Sequence, residues 1–351
     1  MKWSLCFIAL SLYLNTFATE PQGYYSSAEN TNGAALKTAI GKVVLGHIER
    51  TYDQLWSDFQ TTDKRADGKV WDMYSNCNFT FGTDQDSGSG GTVECQFYNR
   101  EHSFPNSWFA KATPMYSDLF HMYPTDKHVN NSRGNNAFGE TSSPSKTFIN
   151  GSKLGPSSVA GYSGTVYEPI DEYKGDFARS YFYMVTAYDD RVANWKSDQL
   201  AGNQYPAFAS WCIDMFLRWS AQDPVSQKET NRQEAIYGIQ HNRNPFIDHP
   251  ELAEYIWGNN KTKPWTSTTA DWHSKQIKLI QTNFVKKEIL LTYAINNLSY
   301  SIYDLRGCII ANKYVGNSTS IPLYYLHNGL YILRLFDDEG VILTDKIVVS
   351  N

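Results

Sequence analysis

The hydrophobic periodicity of this chain changes once, near residue 270, and that change limits the possible folds more than any other feature. Upstream, apolar residues recur at three-and-four spacing, the mark of amphipathic helices. The pattern runs through "NGAALKTAIGKVVLGHIERTYDQLWSDFQTTD". It recurs in "DQLAGNQYPAFASWCIDMFLRWSAQDP", which stops at Asp223-Pro224. "SQKETNRQEAIYGIQHNRNPFIDHPELAEYIWG" reads as a helix followed by a proline-punctuated segment. Residues 141–166 are rich in Ser, Gly, Pro and Thr and read as a long loop. After about residue 285 apolar and polar residues alternate, as in "GLYILRLFDDEG" and "VILTDKIVVS", which predicts short strands. A chain of 351 residues is also long for one core. We therefore expect an α+β domain over 19–270, a linker over 271–284 and a small all-β sandwich over 285–351.

Aromatic residues make up 15% of the chain, which favours β structure or wide binding surfaces. The net charge of −5 argues against strong nonspecific attraction to nucleic acid. It does not exclude a metal-dependent site that is locally positive. The segment "MKWSLCFIALSLYLNTFA" carries one early lysine, an apolar run and small residues before Ala18. That pattern predicts a secretory signal over 1–18. No later stretch is long and apolar enough for a membrane helix. The expected product is exported, either free or held on the outer surface.

Cysteine pairing is then permitted. Cys77 and Cys95 flank the acidic, glycine-rich "TDQDSGSGGT" and are the candidate disulfide. Cys212 lies in an apolar helical run and reads as a buried thiol. No CxxC spacing suggests zinc.

Two polar stretches can carry chemistry. "YNREHSFPNS" (98–107) sets Glu101 beside His102. Neighbours on a strand point to opposite faces, so both reach one site only where the strand ends or bulges. A carboxylate suits a hard divalent cation, and an imidazole suits a base near neutral pH. The bland alternative is a surface pair. "YPTDKHVNNSRGNNAFGE" (123–140) spaces Asn130 and Arg133 to share a helix face, or forms an asparagine-rich turn. His121, His128 and Asp126 suggest a zinc site, but their spacing does not fit one helix face. Lys174, Asp176 and Arg179 in "KGDFAR" line a phosphate track or knot together as salt bridges. In "QHNRNPFIDHPE", Gln240, Asn242, Arg243 and Asn244 contact substrate or form a helix cap and turn.

Taken in order, "YNREHSFPNSWF", "DKHVNNSRGNNAFGE", "EPIDEYKGDFARSYFYMVTAY" and "DPVSQKETNRQEAIYGIQHNRNPFIDHPELAEYIWG" resemble the bacterial endonuclease I family, over roughly 40–258. That family lies in the His-Me finger (ββα-metal) superfamily. The resemblance implies a hairpin packed on a helix around one Mg²⁺, with Mn²⁺ or Ca²⁺ as substitutes. It implies His102 as general base and Glu101 and Asn130 as metal ligands. Arg100, Lys174, Asn242 and Arg243 become substrate-binding candidates. Some members carry a transition-state arginine between the His strand and the Asn helix. Residues 109–122 contain no arginine here, which leaves Arg133 or Arg179 for that role.

The tail, from "YSIYDLRG" through "LHNGLYILRL" to "KIVVSN", resembles the type A C-terminal sorting domain of type IX secretion. A carbohydrate-binding module is its structural rival. The resemblances together imply an exported, metal-dependent, nonspecific endonuclease. Its substrate is DNA, with RNA as the second candidate, and its expected products carry 5′-phosphates. Its other partner is the secretion machinery, and no stable protein partner is expected. The competing reading is a non-catalytic adhesin or glycan-binding protein on a decayed nuclease fold.

Overall fold

The computed structural model describes residues 20–267, 284–285, 288–304, 309–323, 325–337 and 340–350. The expected signal segment, Cys308 and all but the last residue of the expected linker lie outside them. The chain divides into two units between Thr266 and Ser267.

The first unit opens with helices α1 (Gly33–Val44) and α2 (Leu55–Thr62). On α1 the three-and-four spacing buries Leu36, Ile40 and Val44. Fully burying such a side chain contributes about 1.5–3 kcal/mol. A hairpin follows, strand β1 (Tyr98–His102) antiparallel to β2 (Met122–Asp126), paired from Tyr98↔Asp126 to His102↔Met122. Helix α3 (Lys127–Arg133) begins directly after β2. The Asp126 carboxylate starts it by accepting from the backbone N–H groups of His128 (2.8 Å) and Val129 (3.1 Å).

Four short strands come next: β3 (Ala137–Phe138), β4 (Lys146–Thr147), β5 (Lys153–Pro156) and β6 (Thr165–Glu168). They form one sheet in the order β3-β6-β5-β4. The stretch 141–166, read above as a loop, thus holds β4, β5 and the start of β6. Strands of two to four residues are too short to display an alternating pattern.

Helix α4 (Asp171–Ala187) is the spine of the unit, buried at every position from Gly175 to Ala187. α1 crosses it where Gly41 meets the Thr186 carbonyl, an approach that leaves no room for a Cβ. Helices α5 (Ser210–Gln222), α6 (Gln227–Gln240), α7 (Pro245–Asp248) and α8 (Leu252–Ile256) complete the unit. Ser226 and Glu229 form a reciprocal capping box at the start of α6. Among the described residues no helix is long and apolar enough to cross a membrane.

Among its described residues the second unit is built of β-strands. Strands β7 (Phe284–Val285), β8 (Glu288–Tyr303), β9 (Ile309–Pro322), β10 (Gly329–Asp337) and β11 (Gly340–Val349) form one sheet, ordered β7-β11-β10-β8-β9. Ile289, Leu298, Ile302, Leu333, Leu335 and Ile347 make its core.

Candidate active site

Strand β1 presents two chemically different faces, because its pleat alternates. Asn99 and Glu101 meet α3: the Asn130 amide donates to Asn99 Oδ1 (2.9 Å), and Arg133 pairs with Glu101 (2.8 Å). Arg100 and His102 meet aromatic rings that precede or begin α2. The Arg100 guanidinium lies 3.6 Å above the Tyr52 ring and 4.4 Å from that of Trp56. The His102 ring stacks on Tyr52 at 5.7 Å. The pairing stays regular through His102, so Glu101 and His102 point apart. Asn130 sits against Asn99, three positions along the strand from His102, roughly 10 Å at 3.3 Å per residue. Glu101, His102 and Asn130 therefore do not converge on one point. Asn130 shares the α3 face of β1 with Glu101, while the base lies on the opposite face.

Glu101 is buried, and its Oε1 accepts from the Tyr74 hydroxyl (2.7 Å) and from Arg133 (2.8 Å). Burial pushes its pKa up, and Arg133 and Tyr74 oppose that shift. Arg133 is itself fully buried. It donates to the carbonyls of His102, Ser103 and Asn136 and to the Tyr181 hydroxyl. A guanidinium held this way cannot reach a phosphate, so the transition-state role expected for Arg133 is set aside.

The His102 Nε2 faces the Tyr116 carbonyl at 2.9 Å. A carbonyl can only accept, so Nε2 carries the hydrogen and Nδ1 is left as the lone-pair nitrogen. The Asn106 amide nitrogen lies 3.1 Å from that Nδ1. Burial, then the neighbouring His121, pulls the His102 pKa down to about 3, and Arg100 and Lys111 add to the effect. The ring is a neutral base, and the half-buried Tyr52, Asn106 and Tyr116 surround it.

His121 lies beside it, the two ring centres 5.6 Å apart. Its Nε2 faces the Met115 carbonyl at 2.7 Å, which fixes the same tautomer. Its Nδ1 is buried with no hydrogen-bond partner. Burial lowers its pKa, against the pull of Asp118. Spacing in the sequence groups His121 only with His128 and Asp126. Those two are engaged elsewhere: His128 Nε2 meets Lys146 Nζ at 2.7 Å, and Asp126 caps α3. The missed signal is the position of His121, one residue before the strand that pairs with His102.

The remaining expected residues are held within the fold. Arg179 is fully buried and bidentate to Glu229, both bonds 2.6 Å, so its transition-state role is also set aside. Lys174 pairs with Glu168 (3.0 Å) and Asp171 (2.7 Å). Asn242 donates to the Tyr183 hydroxyl and the Val44 carbonyl. Arg243 is clamped by Glu234 and Asp248. Arg100 donates to the Tyr52 carbonyl and to Asp53. Lys174, Asn242 and Arg243 thus serve packing rather than a substrate surface. Cys77 and Cys95 are joined in a disulfide beside Asp126, and Cys212 is a buried free thiol. Among the described residues Cys77, Cys95 and Asp126 make the one crowding of three Cys, His or carboxylate side chains, and the sulfurs there are bonded to each other.

The endonuclease I family profile matches residues 32–251, and that of the secretion system C-terminal sorting domain matches 283–350. An extracellular ribonuclease of Bacillus amyloliquefaciens is 35% identical over 253 residues, 69% of this chain and 80% of that protein. An extracellular ribonuclease of Bacillus subtilis is 34% identical over 241 residues, 67% and 78% of the two chains. Endonuclease-1 of Buchnera aphidicola is 25% identical over 131 residues, 37% of this chain and 46% of that one.

Proposed function

Because the chain belongs to the endonuclease I family and is a secreted nuclease ending in a sorting domain, we propose that it hydrolyses both DNA and RNA with one divalent cation. The observation that carries this reading is the tautomer of His102. The Tyr116 carbonyl keeps the hydrogen on Nε2, and the Nδ1 lone pair accepts from the Asn106 amide, whose place the reacting water takes. That nitrogen takes a proton from a water molecule, and the water oxygen attacks phosphorus. The P–O bond to the 3′ oxygen breaks, that oxygen takes a proton from solvent water, His102 returns its proton to solvent, and the products carry 5′-phosphate and 3′-hydroxyl ends. A positioned base of this kind contributes roughly 10²–10⁴-fold.

The ligand candidates are Glu101 and Asn130, which share the face of β1 that meets α3 and offer the hard oxygens that suit Mg²⁺ or Mn²⁺. Such an ion supplies charge stabilisation at the phosphate and the leaving oxygen. Tyr74 and Arg133 fix the Glu101 carboxylate, and Asn99 accepts from the Asn130 amide and so orients it. No step uses a ribose 2′-hydroxyl, so the same groups serve either polymer. Two relatives named ribonucleases support RNA as a substrate.

The test treats plasmid DNA and end-labelled RNA with the full chain in Mg²⁺, with and without chelator, beside His102→Ala. Chelator and the substitution should each stop cleavage of both polymers, and product ends should be 5′-phosphates. Cyclic 2′,3′-phosphates on RNA, or cleavage in chelator, would refute the mechanism. An untouched plasmid and RNA in every lane would favour a binding protein.

A further inference from the structure

Phosphodiester attack piles negative charge on the non-bridging oxygens, and a positive side chain aimed at them lowers the barrier. Both arginines that sequence put forward are buried in ion pairs, so that cation has to come from elsewhere. Two positive side chains that act through space on His102 are Arg100 and Lys111. Arg100 is committed: its guanidinium lies over Tyr52 and bonds to the Tyr52 carbonyl and Asp53. Lys111 is exposed, and its ammonium has no hydrogen bond or ion pair to any described residue.

The backbone under Lys111 is unusual. Ala110 and Lys111 hold φ angles of 56° and 57°, the left-handed region that side chains other than glycine's seldom adopt. Such outliers concentrate where a side chain has to be aimed. The Lys111 N–H donates to the Asn106 carbonyl (2.8 Å), and the Asn106 amide meets His102 Nδ1 (3.1 Å). One residue thus holds both the lone-pair nitrogen of the base and the base of the lysine loop. That link holds the Lys111 loop beside the base, and the ammonium is near enough to act on the imidazole through space.

Resting on the reading of His102 as general base, we propose that Lys111 is a further catalytic residue, contacting the scissile phosphate and stabilising the charge that develops on it. It takes the place that neither Arg133 nor Arg179 can fill. The lysine keeps its proton throughout, and no bond to it forms or breaks.

The test uses the full chain, Mg²⁺ and a short fluorogenic oligonucleotide, with Lys111→Gln, Lys111→Arg and His102→Ala assayed side by side. Loss of a single stabilising donor lowers kcat by about 10²–10³-fold. Lys111→Gln should show that loss with KM within about twofold of the parent. Lys111→Arg should recover activity to within about tenfold. Unchanged melting of Lys111→Gln verifies that the loop is still folded. A normal kcat in Lys111→Gln, or a change confined to KM, beside an inactive His102→Ala, overturns the proposal and leaves the base standing. An active His102→Ala overturns the underlying reading itself.

Discussion

Replacing Arg133 by methionine separates a structural guanidinium from a chemical one. The guanidinium neutralises Glu101, and both side chains are buried, at 0% and 5% exposure. Removing one partner of a buried ion pair costs about 3–5 kcal/mol, because the other charge is stranded. The carbonyls of His102 and Asn136 also lose a donor, while that of Ser103 keeps the Tyr181 hydroxyl (2.8 Å). Each stranded carbonyl adds on the order of 1 kcal/mol. The expected loss is roughly 5–7 kcal/mol, a large part of the 5–15 kcal/mol typical of a folded domain. Arg133→Lys, which keeps the charge, should lose less. Urea titration followed by tryptophan fluorescence measures the first unit almost alone, since no tryptophan follows Trp272. The double variant Glu101→Gln, Arg133→Met should be more stable than Arg133→Met by about 2 kcal/mol or more, because no charge is left unpaired. An Arg133→Met protein that unfolds within about 0.5 kcal/mol of the parent but has lost activity would refute the structural assignment.

Two further outcomes follow from the ion pairs and the disulfide. Burial pushes the His249 pKa down, but Glu20 and Glu251 more than reverse this and raise it to about 9. The folded value exceeds the unfolded value near 6.5, so this stability is complete below about pH 6.5 and is lost as pH rises through about 9. Urea titrations at about pH 6 and pH 10 should show the parent losing on the order of 3 kcal/mol more than His249→Gln; equal losses would contradict the pairing. The Cys77–Cys95 bond closes a separation of 18 residues. Replacing both cysteines with serine should cost roughly 3 kcal/mol by the chain-entropy relation. A melting temperature that does not move would show the bond contributes nothing.

The amphipathic helices were legible because each buries one stripe: α1 places Leu36, Ile40 and Val44 inward at four-residue intervals. Helix α4 gave no such stripe, since every position from Gly175 to Ala187 is covered. The strands β4 to β6 were too short to show a period. At the site, sequence located His102 and Glu101 but could not tell an arginine that meets substrate from one that is buried. Arg133, Arg179 and Arg243 all belong to the second kind, and their carboxylate partners are distant in sequence or on another element. His121 was hidden for the opposite reason. Its significance comes from a neighbour across the hairpin and from a nitrogen with nothing to bond, neither of which spacing reveals.

The pleat of β1 makes that strand intolerant of length changes. Inserting or deleting one amino acid anywhere between Tyr98 and His102 would rotate every later side chain by half a turn. The carboxylate would then face the tyrosine stack, and the imidazole would be pushed into the guanidinium. Variation in this lineage should therefore gather in the segments between β3 and β6, where an extra residue changes the length of a loop and leaves the five-residue ribbon in phase.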